Sequence, residues 1–151
     1  MTGLIHWEDI EVGQVEHFGR YEVSAEEIVE YARQFDPQPF HLDEEAGRHS
    51  IFGGLIASGW HTAAMLMRMI CDHALGNAAT VGAVGFDGLK WLTPVRPGDV
   101  LSVETRAVDK APSRSRPELG SVKIENRVFN QHGVAVMMLT SIALYRRRPA
   151  R

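Results

Sequence analysis

Between Ala57 and Leu75 this chain carries a helical pattern that is apolar on more than one side. Trp60, Ala64, Met67 and Cys71 form one stripe, and Ala63, Leu66 and Ile70 form a neighbouring one. Such a helix predicts cover from several directions in the middle of a fold. It is too polar to span a bilayer, because His61, Arg68, Asp72 and His73 interrupt it. The cover has to come from elsewhere in the chain, and everything after Ala78 reads as strand. Strands are predicted over 80–92, 100–108, 121–130 and 134–145. Val122, Ile124 and Val128 alternate with Lys123, Glu125 and Arg127, a half-buried pattern. Val134 to Tyr145 is nearly all apolar, which predicts a central strand buried on both faces. Glycines at 82, 85 and 88 are expected to let the helix approach that sheet closely.

The first half completes the pattern. Residues 14–23 form an opening strand. Ser24 with Glu27 three residues on reads as a capping box, starting a helix through Ile28, Val29, Tyr31, Ala32 and Phe35. Pro37 disfavours helix at Asp36, so that helix ends near Phe35. Asp36 to Phe40 is expected to be irregular, and residues 43–46 form one short turn. Helices and strands are segregated along the chain, which places it in the α+β class. The four late strands, joined by short turns, predict an antiparallel sheet with the long helix on one face, in a single domain over 1–151.

Bulk properties exclude several roles. The net charge is −3 with His neutral, which leaves no electrostatic footprint for nucleic acid or an anionic membrane surface. Cys71 is the only cysteine, so no internal disulfide forms and a reducing, cytoplasmic location fits. The first residues show no basic region before an apolar run, so no signal peptide is read. The seven histidines show no metal-ligand spacing; His61 and His73 are expected on the polar edge of the long helix, and Cys71 in the core.

The chemistry-bearing segment is Asp36-Pro37-Gln38-Pro39-Phe40-His41. Each polar residue alone has an ordinary reading, as a turn former or a solvated ring. Together they put a carboxylate and an imidazole on a loop stiffened by two prolines, so little entropy is lost in holding both. A carboxylate and a neutral imidazole sharing one water form a general acid/base pair near neutral pH. Gly53, Gly54, Ser58 and Gly59 then lead into the long helix. They read either as turn residues and an N-cap, or as an oxyanion hole built from unpaired first-turn N–H groups. These are the requirements for adding water to an acyl thioester or removing it.

These segments resemble the MaoC-like dehydratases, a hotdog-fold family that includes the (R)-specific enoyl-CoA hydratases. The matching pieces are Tyr31 to Asp36, Pro39-Phe40-His41-Leu42-Asp43, Phe52 to Ala57, and Gly59, followed by Pro94 to Asp99 and Asn130 to Gly133. The resemblance implies an antiparallel sheet wrapped around a long central helix, paired as a dimer with sites near the subunit interface. It also implies that Asp36 and His41 are the catalytic dyad and that the Gly59 amide binds the thioester oxygen, with syn addition to the alkene. Ser58, Gly54 and Trp60 are the further substrate-binding candidates. Two departures stand out: Gln38 replaces the usual Asn, and Ser58-Gly59-Trp60 replaces the usual His-Gly-Met.

The expected activity is therefore that of a hydro-lyase acting on trans-2-enoyl-CoA or an (R)-3-hydroxyacyl thioester, carried by CoA or acyl carrier protein, in fatty acid metabolism. No metal or redox cofactor is implied, because hydration of a conjugated thioester needs neither. An acyl-CoA thioesterase and a non-catalytic acyl-CoA or partner-binding module are the alternatives. A homodimer or higher homo-oligomer is expected, because one sheet around one helix leaves a hydrophobic edge, with Val134–Tyr145 as the strand least able to tolerate exposure.

Overall fold

The long helix forms because Ser58 caps it: its Oγ accepts the Trp60 N–H at 3.3 Å and its carbonyl accepts the Thr62 N–H at 3.0 Å. In the computed structural model, which describes residues 3–150, this helix (α4) spans Gly59–Ile70 and runs on as a π-helical turn over Cys71–Leu75. Before it come strand β1 (Val15–Glu22), helix α1 (Ala25–Phe35) and two short helices, α2 (Pro39–Leu42) and α3 (Glu44–Arg48). After it come β2 (Thr80–Trp91), β3 (Val100–Pro112), β4 (Leu119–Phe129) and β5 (Ala135–Arg146). No helix among the described residues is long and apolar enough to cross a membrane.

The strands form one antiparallel sheet in the order β1-β3-β4-β5-β2. The helix α4 lays Met65, Leu66 and Met69 against it, beside Leu101, Val136 and Met137. Each such fully buried side chain contributes roughly 1.5–3 kcal/mol. This sheet curled around one long helix is the α+β hotdog architecture. Val136 and Met137 are adjacent in β5 and both fully buried, so that strand is covered on both faces there.

Several local expectations change. Among the four late strands the rule that sequential strands pair fails once: β2 pairs with β5, not β3. The connection over residues 92–99 crosses back, held where the Val95 carbonyl accepts the Ala57 N–H at 2.8 Å. Only one side of α4 is covered; Trp60, Ala64, Met67 and Cys71 all lie at the surface. Cys71 is thus exposed and not a core residue. A Cβ at Gly82, Gly85 or Gly88 would meet nothing within 4 Å, so these glycines do not admit the helix. They sit at register shifts against β5, two of them with positive φ, and bend an edge strand. Close approach occurs instead at Gly19, where a Cβ would lie 2.6 Å from Met69 Sδ. The hydrophobic edge belongs to β2, not β5: Val84 is 64% exposed and Phe86 60%.

Around the site the chain follows its prolines. The Ser24 hydroxyl accepts the Glu27 N–H at 3.1 Å, but the Glu27 carboxylate does not complete the capping box; it turns inward to Tyr21 and His61. Asp36 leaves helical geometry at φ −154°, ψ 65°, as the following Pro37 requires. Asp36 to Phe40 is not wholly irregular, because Pro39 occupies the first position of α2, where a missing N–H does no harm.

Candidate active site

Asp36 is the C-cap residue of α1 and hangs over the start of α4. Its Oδ2 accepts the Ser58 hydroxyl at 2.6 Å, and its Oδ1 accepts the Gln38 amide at 2.6 Å. Burial alone would raise the carboxyl pKa, but these two hydrogen bonds and the neighbouring His41 ring outweigh it and hold the group below its ordinary value. Asp36 is therefore a carboxylate at neutral pH.

His41 projects from α2, with its side chain only 6% exposed. Its Nδ1 lies 2.7 Å from the Ile56 carbonyl. A carbonyl only accepts, so Nδ1 carries a proton, and in the neutral ring Nε2 presents its lone pair. The Ile56 N–H in turn donates to the Phe40 carbonyl at 3.2 Å, so one backbone residue sets both the loop and the tautomer. His41 Nε2 faces Asp36 Oδ2 at 3.4 Å. That is longer than the roughly 2.7–2.9 Å of a direct charge-assisted bond. Two acceptors at this spacing call for a molecule that donates to both, and water has the two protons required.

Ser58 joins the two halves, since the hydroxyl that donates to Asp36 also accepts the Trp60 N–H. The Gly59 N–H, next to it in the first turn of α4, has no acceptor among the described residues. It stands at the positive end of a helix dipole. The lack of a side chain at Gly59 has a packing reason as well: a Cβ there would lie 2.3 Å from Trp91 Cε2, and Trp91 Nε1 donates to the Gly59 carbonyl at 2.9 Å.

Two other sequence candidates lie elsewhere. Gly54 is buried against Gly47, and its Cα faces Arg96 Nη1; no hydrogen bond joins it to Asp36, His41 or Ser58 among the described residues. Gly53, at φ +69°, is the residue that turns this loop. The ring of Trp60 is exposed and meets Trp91 edge-on, with centroids 5.3 Å apart. His61 is buried and not on a polar edge, because its partners come from α1: Glu27 at 3.0 Å and the stacked ring of Tyr31. His73 does lie at the surface, stacked on Phe18. No group of three or more His, Cys, Asp or Glu side chains among the described residues is placed to hold a metal ion.

Three partners of the site escaped the sequence: the Ile56 carbonyl, the Gln38 amide on Asp36, and Trp91 over Gly59. A backbone carbonyl leaves no trace in residue type. Gln38 stands out only as the Asn replacement, and Trp91 lies 32 residues from its partner. The arrangement sets an imidazole nitrogen 3.4 Å from a carboxylate oxygen, beside a helix N–H with no acceptor among the described residues.

Residues 10–128 match the MaoC-like domain family. A 3-hydroxybutyryl-CoA dehydratase from Methylorubrum extorquens is 30% identical over 117 residues, spanning 77% of this chain and 72% of that protein. The crystal structure of a MaoC-like dehydratase from Rhodospirillum rubrum has a TM-score of 0.86 at 45% identity, covering 97% of this chain and 99% of that one. The unliganded R-hydratase PhaJ1 from Pseudomonas aeruginosa has a TM-score of 0.76 at 25% identity, covering 96% and 88%.

Proposed function

Because the chain belongs to the MaoC-like domain family, we propose that it adds water to a trans-2-enoyl-CoA, and removes it from the (R)-3-hydroxyacyl thioester, at Asp36 and His41. The observation that carries this is the pair of acceptors, Asp36 Oδ2 and His41 Nε2, 3.4 Å apart with the imidazole proton committed to the Ile56 carbonyl.

A water held between them donates one proton to each. As its oxygen bonds to the β carbon, its proton passes to His41 Nε2. The alkene electrons move onto the thioester oxygen, which the Gly59 N–H receives. The enolate then collapses, and its α carbon takes the proton back from Nε2. Both groups reach the alkene from the side of the dyad, which makes the addition syn. Asp36, ionised throughout, orients the water and stabilises the transient imidazolium. A donor of the Gly59 type lowers the barrier by roughly 3–4 kcal/mol.

The exposed apolar β2 supports assembly of two copies edge to edge.

The test is a panel of enoyl thioesters followed by loss of conjugated absorbance, with Asp36→Asn beside the wild type. The variant is expected to melt cooperatively and to lose at least about 100-fold in turnover. Unchanged turnover in Asp36→Asn overturns the mechanism. Release of free thiol without loss of the alkene would assign the chain to thioester hydrolysis instead.

A further inference from the structure

We propose that His61 is a positioning residue that sets Asp36 through helix α1; the inference rests on the hydration reading above. His61 belongs to the first turn of α4 and is 2% exposed. Its Nε2 donates to Glu27 Oε1 at 3.0 Å, and the same carboxylate oxygen accepts the Tyr21 hydroxyl of β1. One turn further along α1, the Tyr31 ring stacks on the imidazole, with centroids 4.7 Å apart and planes 10° from parallel. One side chain therefore grips α1 at two successive turns, and Asp36 caps that helix just beyond.

On its core side α1 is anchored by Ile28, in the main cluster with Met65 and Leu66, and by Val29 packed against it. Ile28 and Ala32 are its only fully buried residues. Beside the His61 contacts, α1 and α4 border an open cleft of about 610 Å³, lined also by Glu30, Gln34, Ala64 and Arg68. Among the described residues no side chain fills that space, so on this side the helices are not spaced by packing. The lower tie between them is the Ser58–Asp36 bond itself. His61 supplies the upper one.

Packing alone does not account for a histidine here. Its Nδ1 is buried without a hydrogen-bond partner among the described residues, a penalty that a leucine of similar size would avoid. What the imidazole adds over leucine is the directed bond to Glu27 and the flat face under Tyr31.

The experiment compares His61→Leu and His61→Gln in the wild-type and Asp36→Asn backgrounds. His61→Leu is expected to lower kcat by about 10–100-fold, the usual penalty for a displacement of the order of 1 Å, with KM changed less than about twofold. His61→Gln, which restores a donor toward Glu27, should recover a substantial part. In the Asp36→Asn background, His61→Leu should lower the residual rate by no more than about twofold, because the effect runs through the missing carboxylate. NMR titration of the Asp36 carboxyl gives a readout free of turnover, and its pKa should rise in His61→Leu as the Ser58 bond loosens.

Full kcat in His61→Leu, or losses that multiply with Asp36→Asn, overturns the proposal. If Asp36→Asn itself keeps full activity, the hydration reading fails, and the NMR titration still decides the positioning role. Should His61→Leu not fold, Glu27→Gln and Tyr31→Leu each remove one arm at partly exposed positions. Both are expected to lower kcat and raise the Asp36 pKa, and no change in either sinks the idea.

Discussion

Ser58→Ala separates the two roles that one hydroxyl plays. Losing the N-cap of α4 costs about 1 kcal/mol of stability. The bond from Ser58 Oγ to the ionised Asp36 is charge-assisted and fully buried on the serine side, worth about 1.5–3 kcal/mol. Asp36 is 17% exposed, so water replaces part of that bond and the lower end applies. Together these predict a fall in Tm of roughly 5–10 °C for a chain of this size.

The two contributions differ in pH dependence. Asp36 has a folded-state pKa below its unfolded value, so its stabilisation is full above the ordinary carboxylate pKa and vanishes as pH falls through the lower folded one. The gap in Tm between wild type and Ser58→Ala should be constant above about pH 5 and should shrink below about pH 4 to the cap contribution alone. At neutral pH, turnover should drop by about 10–100-fold, since Asp36 stays charged on Gln38 but loses its fixed aim. Thermal melts from pH 3 to 7, with enoyl-CoA kinetics at neutral pH, provide both readings. A gap that stays constant into acid, with unaltered turnover, refutes the argument and leaves Ser58 as a helix cap only.

Gly59→Ala should destabilise the fold by about 1–3 kcal/mol, because the new methyl meets the Trp91 ring; a melt of Gly59→Ala with Trp91→Val should show most of that loss relieved. Val84→Asp, placed on the exposed β2 edge, should convert a wild-type dimer into a monomer by light scattering; a wild-type chain already monomeric at micromolar concentration would refute assembly through this edge.

Elements with a local cause were legible in the sequence. The cap at Ser24, the stop before Pro37 and the strand alternation around Val122 to Val128 all depend on residues within a turn or a strand length. Features set by distant partners were not. The position of β2 beside β5 depends on the crossover near Val95. His61 looks like a surface residue until α1 brings Glu27 and Tyr31 to it. The glycines of β2 are ambiguous in the sequence because bulges and close approach draw on the same residue type, and only the fold shows which applies. At the site, Asp36 and His41 announced themselves by chemistry, while Ser58 read as a cap or as part of the thioester site. What the sequence did not show of Ser58 is its bond to Asp36, which spans 22 residues and belongs to no local motif.

The Nδ1 proton of His41 is held by main chain, at the Ile56 carbonyl. Residue 56 is thus free to drift among apolar types without disturbing the proton inventory of the site. The vulnerable property is the path of the polypeptide there. A proline at 56, deleting the donor to Phe40, would threaten the ring's protonation pattern from a position that carries no reactive atom of its own.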